Sequence, residues 1–146
     1  NPLGTTMEAT TVRQLLAFAS EKNIHLVCDE IYSGSVFSSP KFTSIAEILA
    51  TENISQRERV HIVYSLSKDL GLPGFRVGVI YSYNDTVVTA ARRMSSFSLV
   101  SSHTQHLIAS MLSDTEFVGK YLAENSKRLR KRHQMFVSEL RVAGIN

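Results

Sequence analysis

One lysine in this sequence has the neighbours that chemistry needs. Lys68 follows the β-branched and aromatic run Val60–Ser65, with Ser65 and Ser67 just before it. The turn residues Gly71, Pro73 and Gly74 come next, and Arg76 lies eight residues beyond the lysine. An arbitrary lysine is simply solvated, so the neighbours decide. Two hydroxyls and a rigid guanidinium fork are what a phosphate monoester requires. Glycine and proline allow a sharp turn and a close backbone approach. The pattern is a phosphate cup with a primary amine beside it. An amine that condenses with an aldehyde next to a phosphate grip points to pyridoxal 5'-phosphate.

That cofactor makes further demands. Its ring nitrogen stays protonated only beside a carboxylate, and Asp29 stands in the right kind of place, at the end of the apolar run 24–28. By base rate alone the pair Asp29-Glu30 reads more readily as the solvent-facing start of a loop than as site residues. The phenolic oxygen of the cofactor needs donors, and Tyr32 and the amide of Asn1 are candidates. Open α/β sheets place their ligands at strand ends of this kind.

The elements that must position these residues follow from periodicity. Thr5 with Glu8 reads as a capping box before a helix over about residues 7–22, which carries Val12, Leu15, Leu16 and Ala19 and is capped by Asn23. The run 24–28 reads as a strand buried on both faces. A loop over 33–42 follows, then a short helix opened by Ser44 with Glu47. Residues 60–65 and 76–83 read as strands. Helices are expected from Asn84 or Asp85, from Ser102 with Gln105, and from Ser113 or Asp114 to about Val142, where Gly144 stops the last. Its apolar stripe is Val118, Leu122, Leu129, Phe136 and Leu140. The expected fold is an α/β, mostly parallel sheet covered by helices. Residues 1–113 would form the central part of a cofactor-binding large domain, and 114–146 a long helix leading toward a small domain.

Composition narrows the function classes. The chain has 146 residues, 43% of them hydrophobic and 20% charged, within the range of globular proteins. Five basic residues crowd into positions 127–132, and without them the net charge of +3 becomes negative. The basicity is local, and on a helix it reads as a solvated face, so neither nucleic acid nor a membrane is expected as a partner. No run is long enough to span a bilayer. The single cysteine, Cys28, reads as an inert core thiol in a reducing, cytoplasmic setting. His103 and His106 are three apart, but nothing completes a metal set. Asn1-Pro2-Leu3-Gly4 is turn chemistry, and the sequence is expected to be an internal piece of a larger enzyme.

Three blocks carry a resemblance. Asn1 to Thr6 reads NPLGTT, positions 28–32 read CDEIY, and positions 65–78 read SLSKDLGLPGFRVG. Together they resemble the fold type I pyridoxal-phosphate enzymes, the aspartate aminotransferase superfamily. The flanking blocks EKNIHLVCDEIY at 21–32, VFSSP at 36–40, VIYSYND at 79–85, MSSF at 94–97 and KRLRKRH at 127–133 are most similar to the plant 1-aminocyclopropane-1-carboxylate synthases.

The resemblance implies roles. Lys68 would bond covalently to pyridoxal phosphate as an imine and later serve as general base at the substrate Cα. Asp29 would pair with the ring nitrogen, Asn1 and Tyr32 would bond the phenolic oxygen, and Ser65, Ser67 and Arg76 would hold the phosphate. The substrate would be S-adenosylmethionine, converted by α,γ-elimination into 1-aminocyclopropane-1-carboxylate and methylthioadenosine, in a homodimeric enzyme of ethylene biosynthesis. A class I aminotransferase and a catalytically dead subunit-interaction piece are the competing readings. The ring-stacking aromatic, part of the phosphate loop and the arginine for the substrate carboxylate would lie outside this segment. The chain by itself is therefore expected to turn over no substrate, and product formed by the isolated chain would contradict this.

Overall fold

The computed structural model describes residues 4–52 and 57–145. Helix α1 spans Ala9–Glu21, strand β1 Leu26–Asp29, helix α2 Ile45–Thr51 and strand β2 Val60–Ser65. A single helical turn, α3, covers Leu66–Asp69, and strand β3 covers Gly78–Ser82. Helices α4 (Asp85–Ser95), α5 (Ser102–Ser113) and α6 (Thr115–Val142) complete the chain. The order of the longer elements is the one that periodicity predicts.

The three strands form one sheet in the order β1-β2-β3. β1 and β2 run parallel, with Asp29 opposite Val63, while β2 and β3 run antiparallel, with Ser65 opposite Gly78. The sheet is thus mixed, because β3 follows β2 through the short 66–77 turn rather than a crossover. The parallel pair is joined by the segment containing α2, as parallel strands require.

The core lies between the sheet and two helices. Val12 and Leu16 of α1, Ile45, Ile48 and Leu49 of α2, and Val60 and Ile62 of β2 are buried together, with Leu26 and Cys28 packed against them. The described residues cover only one face of the run 24–28, where both were expected to be buried. β1 alternates: Leu26 and Cys28 turn toward the helices, while Val27 faces the other side and stays 61% exposed. Ile80 of β3 is likewise exposed, and its register with Val63 puts it on the same side as Val27. Buried His61 ties the strands laterally, its Nε2 2.7 Å from His25 Nδ1 and its Nδ1 2.8 Å from Ser82 Oγ.

Helix ends follow local chemistry, with corrections. Glu8, not Thr5, is the N-cap of α1, and no side chain caps it, so the Thr5 box does not form. At the other end Asn23 takes φ 57, and the amides of Asn23 and Ile24 donate to the carbonyls of Ser20 and Ala19, a Schellman closure. Gly144 closes α6 in the same way, at φ 78. Ser44 caps α2 by accepting from Ala46 N. Asn84 caps α4 through Thr86 N and Val87 N, and Asp114 caps α6 through Phe117 N. Ser101 rather than Ser102 caps α5.

α6 has 28 residues and so extends about 42 Å. It packs on α5 and on the turn at Ser33–Ser35. Its apolar stripe holds at Val118, Leu122 and Leu129 but lapses at Phe136 and Leu140, which are exposed in this chain. Of the basic run, Lys127 and Arg128 pair with Glu124 on the exposed face, contacts that contribute little to stability. Among the described residues no helix is long and apolar enough to cross a membrane.

Ile48 is 1% exposed at the centre of the core. Ile48→Ala should cost about 2–5 kcal/mol, through lost burial and a cavity. The check is the denaturant midpoint of the full-length protein; an unchanged midpoint would contradict this core assignment.

Candidate active site

Lys68 is placed by a switch of backbone conformation. β2 ends at Ser65, whose hydroxyl accepts from Ser67 N at 3.1 Å and so opens the helical turn α3. One turn of helix sends residues 66, 69 and 70 to one side and residue 68 to the other. Leu66, Asp69 and Leu70 are buried, while Lys68 is exposed. The lysine amine therefore projects from the carboxyl end of a buried strand. It lies 5.7 Å from the centroid of the Tyr32 ring and forms no ion pair among the described residues.

Lys68, Ser67 and Tyr32 line one cleft of about 1240 Å³. The far wall comes from α6, with Asn125, Leu129 and Arg130, and the floor includes Gly4, Thr5 and Thr6. Ser65 adjoins it through a 2.7 Å bond from its hydroxyl to Ser67 Oγ. Asp29 and Arg76 do not line this cleft. Asp29 is exposed at the end of β1, and its Oδ1 accepts from Ile31 N at 3.1 Å. Arg76 sits at φ 56 after the Pro73–Phe75 turn, and its guanidinium donates to Pro73 O at 3.0 Å. Asn1 lies outside the described residues. The residues brought together are thus an amine, two hydroxyls and a phenol, at the ends of parallel strands that also carry Asp29. This donor set suits a phosphorylated aldehyde: the amine is unpaired by acid, and the cleft beside it is large enough for a small aromatic ring.

The Lys68 turn is held from below by Asp69. This side chain is 1% exposed. Its Oδ2 accepts from Gly34 N at 2.7 Å and Tyr64 OH at 3.0 Å, and its Oδ1 accepts from Ser35 Oγ at 2.5 Å. Two side chains of α6 complete the attachment: Asn125 Nδ2 donates to Asp69 O and Tyr121 OH to Leu70 O. Burial, then the neighbouring Asp69 carboxylate, pushes the Tyr64 phenol up to about 12. Gly34 must be glycine, because a Cβ there would come within 2.9 Å of Asp69 Oδ2. Gly71 turns back at φ 65 under Tyr121. None of this network is singled out by the sequence motif. A signal for it exists: Leu66, Asp69 and Leu70 share a helical face, which puts the aspartate with the buried leucines.

Glu30 takes a different role from its neighbour. Its carboxylate accepts from Ser44 Oγ at 2.8 Å and from Ile45 N at 2.9 Å, fastening the start of α2 to the end of β1.

With the geometry in place, comparison with known proteins defines the class. The chain matches the family Aminotransferase class I and II over residues 1–146, and it belongs to that family. Pyridoxal phosphate is the cofactor on which the enzymes of this family depend. Its relatives narrow the resemblance. It is 62% identical over 145 residues to 1-aminocyclopropane-1-carboxylate synthase 2 of Cucurbita pepo, covering 99% of this chain and 29% of that protein. It is 64% identical over 146 residues to 1-aminocyclopropane-1-carboxylate synthase 7 of Arabidopsis thaliana, covering 99% of this chain and 33% of that protein. The chain thus spans about a third or less of these two relatives. Among solved structures, an aromatic aminotransferase from Pyrococcus horikoshii superposes with a TM-score of 0.83 at 21% identity, over 99% of this chain and 37% of that one. That likeness establishes the α/β fold.

Cys28 stands apart from the site chemistry. Burial, with the Glu30 carboxylate adding to it, pushes its thiol up from 9.0 to about 11. A raised value keeps the thiol protonated, so at pH 8 its thiolate fraction falls about 100-fold. Labelling by a disulfide reagent at pH 8 should be slow in the folded protein and fast after unfolding. Equal rates would show that the thiol is not held in this way.

Proposed function

We propose that this chain is the cofactor-anchoring portion of a 1-aminocyclopropane-1-carboxylate synthase, with S-adenosylmethionine as substrate and Lys68 as the reacting amine. The observation that carries this reading is the Lys68 amine, free of ion pairs among the described residues and lining a cleft with Tyr32 and Ser67. The identity of 60% or more to synthases of several plants supports the choice of reaction.

In this reading Ser65 and Ser67 would hold the phosphate of pyridoxal phosphate, and Arg76, whose guanidinium donates to Pro73 O here, would complete the grip. Asp29 keeps the ring nitrogen protonated. Tyr32 and Asn1 donate to the phenolic oxygen. When bound, the cofactor supplies an electron sink for the pair left at Cα. Lys68 takes the Cα proton. The Cα pair closes onto Cγ, the Cγ–S bond breaks, and the neutral sulfur of methylthioadenosine carries off the bonding electrons. The sulfonium makes that departure easy.

Residues 1–113 serve the large domain, 114–146 lead toward a small domain, and the enzyme works as a cytoplasmic homodimer. A class I aminotransferase would use the same lysine to return the proton to the cofactor carbon, and the family match keeps that reading in view.

Lys68→Ala in the full-length protein should lower product formation by at least about 10³-fold, as losses of a covalent and proton-transferring group do. The product assay from S-adenosylmethionine should yield the cyclopropane amino acid. A keto acid as the main product would favour the aminotransferase. Activity surviving the change would remove Lys68 from the chemistry.

A further inference from the structure

The most deeply buried charged side chain in the described core does nothing in the reaction just outlined. Asp69 stands next to Lys68 but faces the opposite way. Burying a carboxylate is costly unless donors satisfy it. Here the donors come from two places with different histories in the chain. Tyr64 OH belongs to the strand that delivers Lys68. Gly34 N and Ser35 Oγ belong to the turn that begins right after Tyr32, with Ser33 Oγ at 3.4 Å as a weak third contact. One carboxylate therefore fastens the Lys68 turn to the Tyr32 turn. Bonds to an ionised acceptor are about twice as strong as neutral ones, so the fastening is stiff. The Cβ-free backbone of Gly34 lets the two turns meet at van der Waals distance.

We infer that Asp69 is a positioning residue, whose buried carboxylate holds the Tyr32 ring against the amine of Lys68. This rests on the proposed role of Lys68. Asp69 does not line the cleft that Lys68 and Tyr32 share. It acts through Tyr32, and its removal is felt as a misplaced phenol beside the reacting amine rather than as lost binding.

The test uses the full-length holoenzyme and release of methylthioadenosine. Asp69→Asn keeps the side-chain size but turns an amide NH2 toward donors. Tyr64→Phe is the milder variant, losing one 3.0 Å bond to the same carboxylate. Asp69→Asn should lower kcat at least about tenfold with KM within about twofold, and Tyr64→Phe should do the same to a lesser degree. In a Tyr32→Phe background both losses should shrink to less than about twofold, since the residue they act through is already changed. A loss of equal size in both backgrounds would overturn the inference, and so would an unchanged kcat. If Asp69→Asn fails to fold, the Tyr64→Phe cycle decides by the same criteria. A second reading needs no cofactor: hydrogen exchange at the Gly34 amide in the apoprotein should speed up at least about tenfold in Asp69→Asn, and an unchanged rate would remove the anchor. Lys68→Ala separates the two levels. Activity surviving it sinks the proposed function. Activity lost there, with independent effects of Asp69 and Tyr32, sinks only the positioning role.

Discussion

A carboxylate taken out of water and surrounded by neutral donors is the constraint on which the site depends. Asp69 has no cation partner within ion-pair distance among the described residues, so its charge is satisfied by Gly34 N, Ser35 Oγ and Tyr64 OH. Removing any of these leaves a buried group short of a partner, which costs more than the bond contributes. The arrangement ties the Lys68 turn and the Ser33–Ser35 turn to one carboxylate. It also explains why Lys68 can be exposed and yet well placed, since its own turn is fixed by the residue behind it.

The rest of the fold converges on the same place. Parallel pairing of β1 with β2 brings the carboxyl ends of both strands to one edge, so Asp29, Ser65 and Lys68 emerge together. Glu30 ties that edge to the start of α2, whose Ile45, Ile48 and Leu49 fill the core beneath. α6 closes the cleft from the other side. It is stitched to the Lys68 turn by Tyr121 and Asn125, and to the loop after Tyr32 by Arg130, which donates to the Phe37 carbonyl, and by His133, whose ring lies 5.4 Å from that of Phe37. Three segments far apart in sequence thus share one anchor and one cleft.

Much of this was legible from local pattern. The strand Val60–Ser65, the stops at Asn23 and Gly144, and the caps at Ser44, Asn84 and Asp114 depend on a few adjacent residues, and they form as their types dictate. Thr5 misleads because α1 starts only at Ala9, with Glu8 as its N-cap, which leaves Thr5 too far from the first turn to cap it. Val27 differs from the expectation because the described residues cover only one face of the sheet, and an apolar run does not report what covers the other. The role of Asp69 was hidden for another reason. Its partners lie 34, 35 and 5 residues away, and a hydrogen-bond set of that span leaves no periodic trace. The stripe on α6 takes in apolar residues alone, whereas polar side chains at 121, 125 and 130 also hold the helix.

In the proposed function Lys68 is the amine that carries the cofactor. Treating the full-length protein, purified with pyridoxal phosphate, with borohydride and mapping the peptides by mass spectrometry tests it directly. The reduced pyridoxyl group should be found on the peptide containing Lys68 and on no other. A pyridoxyl group on a different lysine, or none on the Lys68 peptide, would contradict the account.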